Sequence, residues 1–319
     1  AEAAKKGYRG ILSNGYYLDL IEPASRHYLN DPIPENTTLT PEEQKLILGG
    51  EATMWSEWVS PETIDSRIWP RTAAIAERFW SPREVKDVDD MYRRLAVVRV
   101  QLEDVGLLHK KNPEAMLRRL AGDLSGDEYV VETIKKLVDV IEPVKGYKRG
   151  SMQKATQFTP LTRLADVARP DSDAARELAK ATTGLLYVDS GDRGDRVDRV
   201  SAMLTSWGYA GHSLPSIIEQ SPIMDEALPL AKDLEEISEI GLEGIKYLNQ
   251  RNAPSDEWRA SRIARLEAAA IPKAAVEFAI IQPIKELVIA AAEQEKRKMM
   301  SAEEWKKHVK SLAAEKKKQ

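Results

Sequence analysis

Two short stretches pair an aromatic residue with a carboxylate two positions on: Tyr17-Leu18-Asp19 and Trp55-Ser56-Glu57. In extended chain, residues i and i+2 project to the same side, so each stretch would offer a ring and a carboxylate to one space. That combination suits a sugar, whose C–H face stacks on an aromatic ring while adjacent hydroxyls donate to a carboxylate. The plainer alternative makes Tyr17 and Trp55 core aromatics and leaves Asp19 and Glu57 solvated. Two like pairs, each just after an apolar run, favour the sugar reading.

Other candidates have structural readings. Asp127-Glu128 is an adjacent acid pair, but it stands at a helix start, where acidic residues are ordinary. Glu51 is expected deeper along its strand, as a buried charge with a partner. Arg67 and Arg71 flank Trp69-Pro70 and are expected to anchor a helix start. His27, His109, His212 and His308 are scattered without the spacing of a zinc site. Gly49-Gly50 lacks the lysine of a phosphate loop. The stretch 190–196 reads as a turn.

The elements that must position the two pairs are strands. Tyr8–Ser13 and Leu46–Ala52 are apolar runs of strand length, each ending just before one aromatic-plus-acid pair. A long polar connection holding Pro23, Pro32, Pro34 and Pro41 separates them. A helix is predicted from Pro70, with apolar stripes Ile68, Ile75, Phe79 and Trp69, Ala73, Ala76, Trp80 that imply packing on two sides. A second is predicted over Asp87–Val105, with Met91, Leu95, Val98, Leu102 and Val105 in steps of 4, 3, 4 and 3. Strands alternating with helices point to parallel βα units. Past the Lys-Lys-Asn-Pro run at 110–113 only helical patterns follow, at 127–143, 172–187, 193–206, 223–249, 255–270, 273–292 and 301–315. The expected fold class is therefore mainly α: about two βα units over 1–110, then an all-α region over 111–319.

Composition limits the classes of function. The 319 residues carry 47 Lys and Arg against 51 Asp and Glu, so no general electrostatic pull toward nucleic acid is expected. The absence of cysteine removes disulfides and thiolate chemistry. No stretch approaches a membrane span; the most apolar, Ala274–Ala292, contains Glu277, Lys285, Glu286 and Pro283 and reads as a buried helix. The opening AEAAKKGYRG reads as the tail of a helix followed by a glycine turn, so the chain is expected to be part of a longer product. Four of the seven tryptophans (Trp55, Trp58, Trp69, Trp80) fall within 26 residues. Trp55 is the expected sugar platform, and Trp69 and Trp80 are expected to pack helices.

An ordered series of motifs carries a family resemblance. Gly15-Tyr16-Tyr17-Leu18-Asp19 is followed by Gly49-Gly50-Glu51-Ala52-Thr53-Met54-Trp55-Ser56-Glu57. Asp65-Ser66-Arg67-Ile68-Trp69-Pro70-Arg71 and Ala76-Glu77-Arg78-Phe79-Trp80-Ser81 complete it. Over roughly residues 7–108 the chain resembles glycoside hydrolase family 20, the β-N-acetylhexosaminidases, and specifically the last two βα units of that family's (β/α)8 TIM barrel.

The resemblance implies hydrolysis of terminal β-linked N-acetylhexosamine with retention, the substrate's own acetamido group acting as nucleophile. It implies a catalytic and substrate-binding role for Tyr17 at the acetamido oxygen, a platform role for Trp55, and hydroxyl binding near O4 and O6 for Asp19 and Glu57. It implies no metal and no cofactor, an N-acetylhexosamine-containing glycan or chitooligosaccharide as ligand, and an exported or lysosomal setting. The family's general acid belongs to an Asp-Glu pair within a His-x-Gly-Gly-Asp-Glu run upstream of this region. Asp127-Glu128 lacks that context, so the general acid is expected outside this chain. The N-terminal part of the barrel then becomes a required partner, and the chain alone is expected to be inactive. The alternative is a non-catalytic helical interaction protein carrying a barrel remnant.

Overall fold

The computed structural model describes residues 1–188 and 191–314. In chain order the elements begin α1 (Glu2–Lys5), β1 (Gly10–Leu12), α2 (Ala24–Leu29), α3 (Pro41–Gln44), β2 (Ile47–Gly50), α4 (Ile64–Ile68), α5 (Arg71–Trp80), α6 (Val88–Asp104) and α7 (Lys111–Leu120). There follow α8 (Glu128–Val138), β3 (Ile141–Pro143), α9 (Lys148–Met152), α10 (Leu164–Val167), α11 (Asp173–Tyr187), α12 (Arg193–Ile218) and α13 (Leu228–Gln250). The last are α14 (Asp256–Ala269), β4 (Val276–Phe278), α15 (Ile281–Ala292) and α16 (Ala302–Ala314). The protein is mostly helical with little sheet. It divides into two compact units: one of residues 1–116, 144–162 and 169–171, the other of 117–143, 163–168 and 172–314 as far as described.

In the first unit β1 and β2 are adjacent and parallel, with Gly10 opposite Ile47 and Leu12 opposite Gly50. The long proline-containing connection between them supplies α2 and α3, as a parallel pair requires a crossover. α3 opens with a reciprocal cap between Thr40 and Glu43, with Pro41 in its first turn. Helix α5 packs on two sides. One cluster joins Ile75 to Tyr16 and Leu18, with Leu12, Ile68 and Phe79 against it. The other joins Ala74 to Ala24, Tyr28, Met91 and Leu95, with Ala73 against it.

The second face differs from the expected stripe. Ala76 is exposed and Trp80 is 93% exposed, so Trp80 packs no helix. Pro70 precedes α5 rather than opening it, and its bond to Trp69 is cis. Asp87 caps α6 by accepting a hydrogen bond from the Asp90 amide at 3.0 Å, which fits the predicted start.

Among its described residues the second unit has helices and one pair of short strands, β3 and β4, which pair antiparallel with Ile141 opposite Phe278. Sequence periodicity misses both strands, because three residues are too few to alternate visibly. The patterns at 127–143 and 273–292 therefore each contain a short strand as well as a helix. α12 runs past its expected end to Ile218, and α13 begins later than expected because Pro222–Ala227 form a 3-10 turn. The two helices approach closely at Gly211, where a Cβ would lie 2.5 Å from the Glu235 amide nitrogen. The 190–196 stretch is not a turn throughout, since α12 begins at Arg193 with Asp192 as its cap. Ser190, and residue 315 of the last helical pattern, lie outside the described residues.

No helix among the described residues is long and apolar enough to cross a membrane. No group of three or more metal-ligating side chains occurs among them.

Candidate functional site

The loops that leave β1 and β2 are tied to each other. Tyr17 and Thr53 form a parallel bridge, the Leu18 amide donates to the Thr53 carbonyl at 2.9 Å, and the Thr53 amide donates to the Tyr16 carbonyl at 3.2 Å. These bonds carry the strand pairing past the strand ends and bring the Tyr17–Asp19 segment beside the Thr53–Glu57 segment. Ser13 donates a hydrogen bond to Glu51 nearer the strands. Glu51 is exposed, so the expected buried charge is instead an accessible carboxylate held by a hydroxyl.

The two stretches meet, but not as extended chain. Residues 18–20 form a 3-10 turn, and Ser56 takes φ +68°. A hydrogen-bonded turn at one loop and a left-handed residue at the other replace the i, i+2 alternation. The carboxylates are brought together all the same. Burial, then a side-chain hydrogen bond with Asp19, then the Asp19 charge push the Glu57 pKa upward. Asp19 Oδ1 and Thr53 Oγ1 are buried with no hydrogen-bond partner among the described residues. A hydroxyl-rich ligand could satisfy both. Trp55 is 69% exposed, far outside the range of a core aromatic, and it lies two residues before Glu57.

The framework beneath the site explains the surrounding motifs. Arg71 is buried and donates to the Leu18 carbonyl at 2.9 Å and the Glu22 carbonyl at 2.7 Å, and also to the Arg67 carbonyl. It therefore clamps the turn that carries Asp19. Tyr16 is fully buried, donates to the Asn30 carbonyl at 2.5 Å and packs edge-on against Phe79, centroids 4.7 Å apart. Gly49 sits at φ +136°, and a Cβ on Gly50 would lie 2.5 Å from the Phe79 ring. The paired glycines thus answer to backbone conformation and close packing.

Glu77 accepts from the Tyr28 hydroxyl at 2.8 Å and pairs with Arg94, while Arg78 donates to the Val85, Ser81 and Pro82 carbonyls. Asp65 accepts from the Leu108 amide at 2.8 Å. These charged motif residues are structural ties. So is Asp127, which caps α8 by accepting from the Tyr129 amide, and so is Glu128, which pairs with Arg118.

Sequence reasoning missed the support that comes from far along the chain. The Gly146 amide donates to the Leu20 carbonyl at 2.9 Å, next to Asp19. The buried guanidinium of Arg149 lies 4.2 Å from the centre of the Trp58 ring, next to Glu57. One remote segment therefore buttresses both carboxylate-bearing loops, and Trp58 gains its role as the stacking surface for a cation. An Arg and a Trp 91 positions apart carry no local signal of such a contact.

Comparison with known proteins places this geometry in context. Residues 1–83 match the model described as glycosyl hydrolase family 20, catalytic domain. The rat (Rattus norvegicus) beta-hexosaminidase subunit beta is 36% identical over 110 residues, covering 34% of this chain and 20% of the relative. The bovine (Bos taurus) subunit alpha is 37% identical over 105 residues, covering 32% and 20%. The X-ray structure of Flavobacterium johnsoniae chitobiase aligns with TM-score 0.78 at 36% identity, covering 90% of this chain and 42% of that one. The chain thus spans about a fifth of the length of the curated relatives and less than half of the chitobiase. The structural likeness runs far past the family-model match, so the helical region, which sequence reading assigned to no module, also has a counterpart there.

Proposed function

We propose that this chain, whose first 83 residues match the glycosyl hydrolase family 20 catalytic-domain model, supplies one wall of the sugar pocket of a β-N-acetylhexosaminidase. The observation that carries the proposal is the meeting of Asp19 and Glu57 on bridged loops beside the exposed Trp55. In this reading residues 1–110 are the last two βα units of a (β/α)8 barrel, and 111–319 form a helical C-terminal domain. The substrate is a terminal N-acetylhexosamine on a glycan or chitooligosaccharide, in keeping with the names of the hexosaminidase and chitobiase relatives.

Trp55 offers its face to the apolar side of the pyranose. Asp19 and Glu57 accept from its outer hydroxyls. Tyr17 donates to the acetamido oxygen and so aims it at the anomeric carbon, where attack yields an oxazolinium intermediate without an enzyme nucleophile. Preorganised dipoles of this kind stabilise charge that develops in the transition state. The proton for the leaving oxygen comes from an Asp-Glu pair on an upstream strand, outside this chain.

The direct test assays an aryl N-acetyl-β-glucosaminide with residues 1–319 alone and with the same chain joined to a barrel segment bearing His-x-Gly-Gly-Asp-Glu. Turnover only in the joined protein is expected. Turnover by residues 1–319 alone would overturn the placement of the general acid. A joined, folded protein that neither binds nor cleaves the sugar would favour an interaction protein with a barrel remnant.

A further inference from the structure

A second site candidate lies in the helical unit, where three separated segments converge on one cleft of about 640 Å³. The first turn of α12 contributes Arg193 and Arg196, the end of α13 contributes Arg251, and the 3-10 turn Gln294–Met299 contributes Arg297 and Lys298. Glu295 is the only carboxylate among the described lining residues. The floor is apolar, with Leu185, Leu248 and Met300.

Capping of α11 explains part of this cluster. Arg193 donates to the Leu185 carbonyl at 3.3 Å, and Arg196 donates to the Gly184 carbonyl at 3.0 Å and the Val188 carbonyl at 2.5 Å. Cations at a helix C-terminus are favourable. Capping does not explain why Arg251 and Lys298 are brought to the same cleft from other elements, where like charges repel. Arg193 registers that crowding: burial, then the charges of Arg251 and Arg196, lower its pKa. Planar guanidinium groups grip phosphate oxygens with paired hydrogen bonds, and a cleft of this volume falls in the range that holds a small organic molecule.

We propose that this cleft binds a phosphorylated small molecule, its phosphate held by Arg193, Arg251 and Lys298 and its body lying over the Leu185–Leu248–Met300 floor. A phosphate monoester, with about two negative charges at neutral pH, complements the charges of Arg193, Arg251 and Lys298 brought to this cleft from three elements. Its named residues belong to the second unit, whereas Asp19, Trp55 and Glu57 belong to the first.

The test is isothermal titration of the full chain with glucose 6-phosphate and, separately, with inorganic phosphate. Saturable binding that weakens with added salt is expected, with glucose 6-phosphate at least as tight as inorganic phosphate. Arg251→Asn combined with Lys298→Gln should weaken it at least tenfold. Both side chains are exposed, and Asn tolerates the left-handed backbone at position 251, so the fold should survive; if melting shows otherwise, Arg193→Gln decides. Arg118→Gln, which breaks an ion pair elsewhere in this unit, should leave the affinity unchanged. No saturable binding, wild-type affinity in the cleft variants, or equal loss in Arg118→Gln would each overturn the proposal. Tighter binding of inorganic phosphate than of glucose 6-phosphate would overturn the role of the apolar floor.

Discussion

The carboxyl groups of Asp19 and Glu57 lie close enough to interact, although 38 positions separate them in the chain. Two carboxyl groups in such contact hold a proton more tightly than one alone, and burial and the interaction with Asp19 raise the Glu57 pKa accordingly. The folded pair therefore binds the proton better than the unfolded chain. The tie should be complete below the ordinary glutamate range and weaken as pH rises through the elevated pKa. Tryptophan emission, dominated near the site by Trp55 and Trp58, should change over that interval. Glu57→Gln keeps a donor toward Asp19 and cannot ionise, so its emission should stay flat. An unaltered transition in Glu57→Gln would assign it to another group.

Arg149 and Trp58 offer a second test. The guanidinium is buried over the ring, and a desolvated cation–π contact is worth about 2 kcal/mol. Arg149→Lys retains charge but loses the planar stack and the hydrogen bond to Gln153. A stability loss of about 1–2 kcal/mol in denaturant melts is expected, with a shift in Trp58 emission. Trp58→Phe should produce a comparable loss, and the double variant less than the sum of the two.

His27 should make the first unit sensitive to acid. It is buried, its Nδ1 lies 2.8 Å from the Gly15 carbonyl, and burial lowers its pKa to about 4. The hydrogen bond to that carbonyl requires a proton on Nδ1, and the lowered pKa leaves Nε2 unprotonated, so the ring is neutral in the fold at neutral pH. The unfolded chain takes up the second proton first, near pH 6.5, so stability falls as pH drops from about 6.5 toward 4 and is unaffected by this group above that range. The decline should approach about 3 kcal/mol at its limit. His27→Gln should be less stable at neutral pH and show a flatter profile between those values.

Gly50→Ala tests the packing beneath the loops. The new methyl would lie 2.5 Å from Phe79, itself wedged against Tyr16. A cost of about 1–3 kcal/mol is expected in thermal or denaturant unfolding. Pairing the change with Phe79→Leu should recover part of it by opening space.

Much of the site's framework is legible in the sequence because it is local. The two apolar runs, the capped α6 and the two-sided α5 follow from periodicity and caps, and the aromatic-plus-acid pairs stand where those runs end. The geometry joining the pairs is not local. The 3-10 turn at Leu18–Leu20 is held by the Arg71 clamp from 53 positions away and the two loops are joined by the Tyr17–Thr53 bridge, contacts with partners far along the chain. Ala76 and Trp80 lie on the helical stripe that should have been buried, yet face solvent, because Ala73 and Ala74 already complete that contact. β3 and β4 escape notice since each exists only through the other.

The central claim, that Trp55 is the platform of an N-acetylhexosamine pocket, is tested most directly by Trp55→Ala. The variant belongs in a catalytically complete protein containing this chain, with kcat and KM measured on an aryl N-acetyl-β-glucosaminide. The exposed ring contributes little to stability, so the fold should be unchanged to within about 0.5 kcal/mol. KM should rise and kcat should fall, lowering kcat/KM by about a hundredfold, on the order of 3 kcal/mol of transition-state stabilisation. Kinetics equal to the wild type would contradict the account.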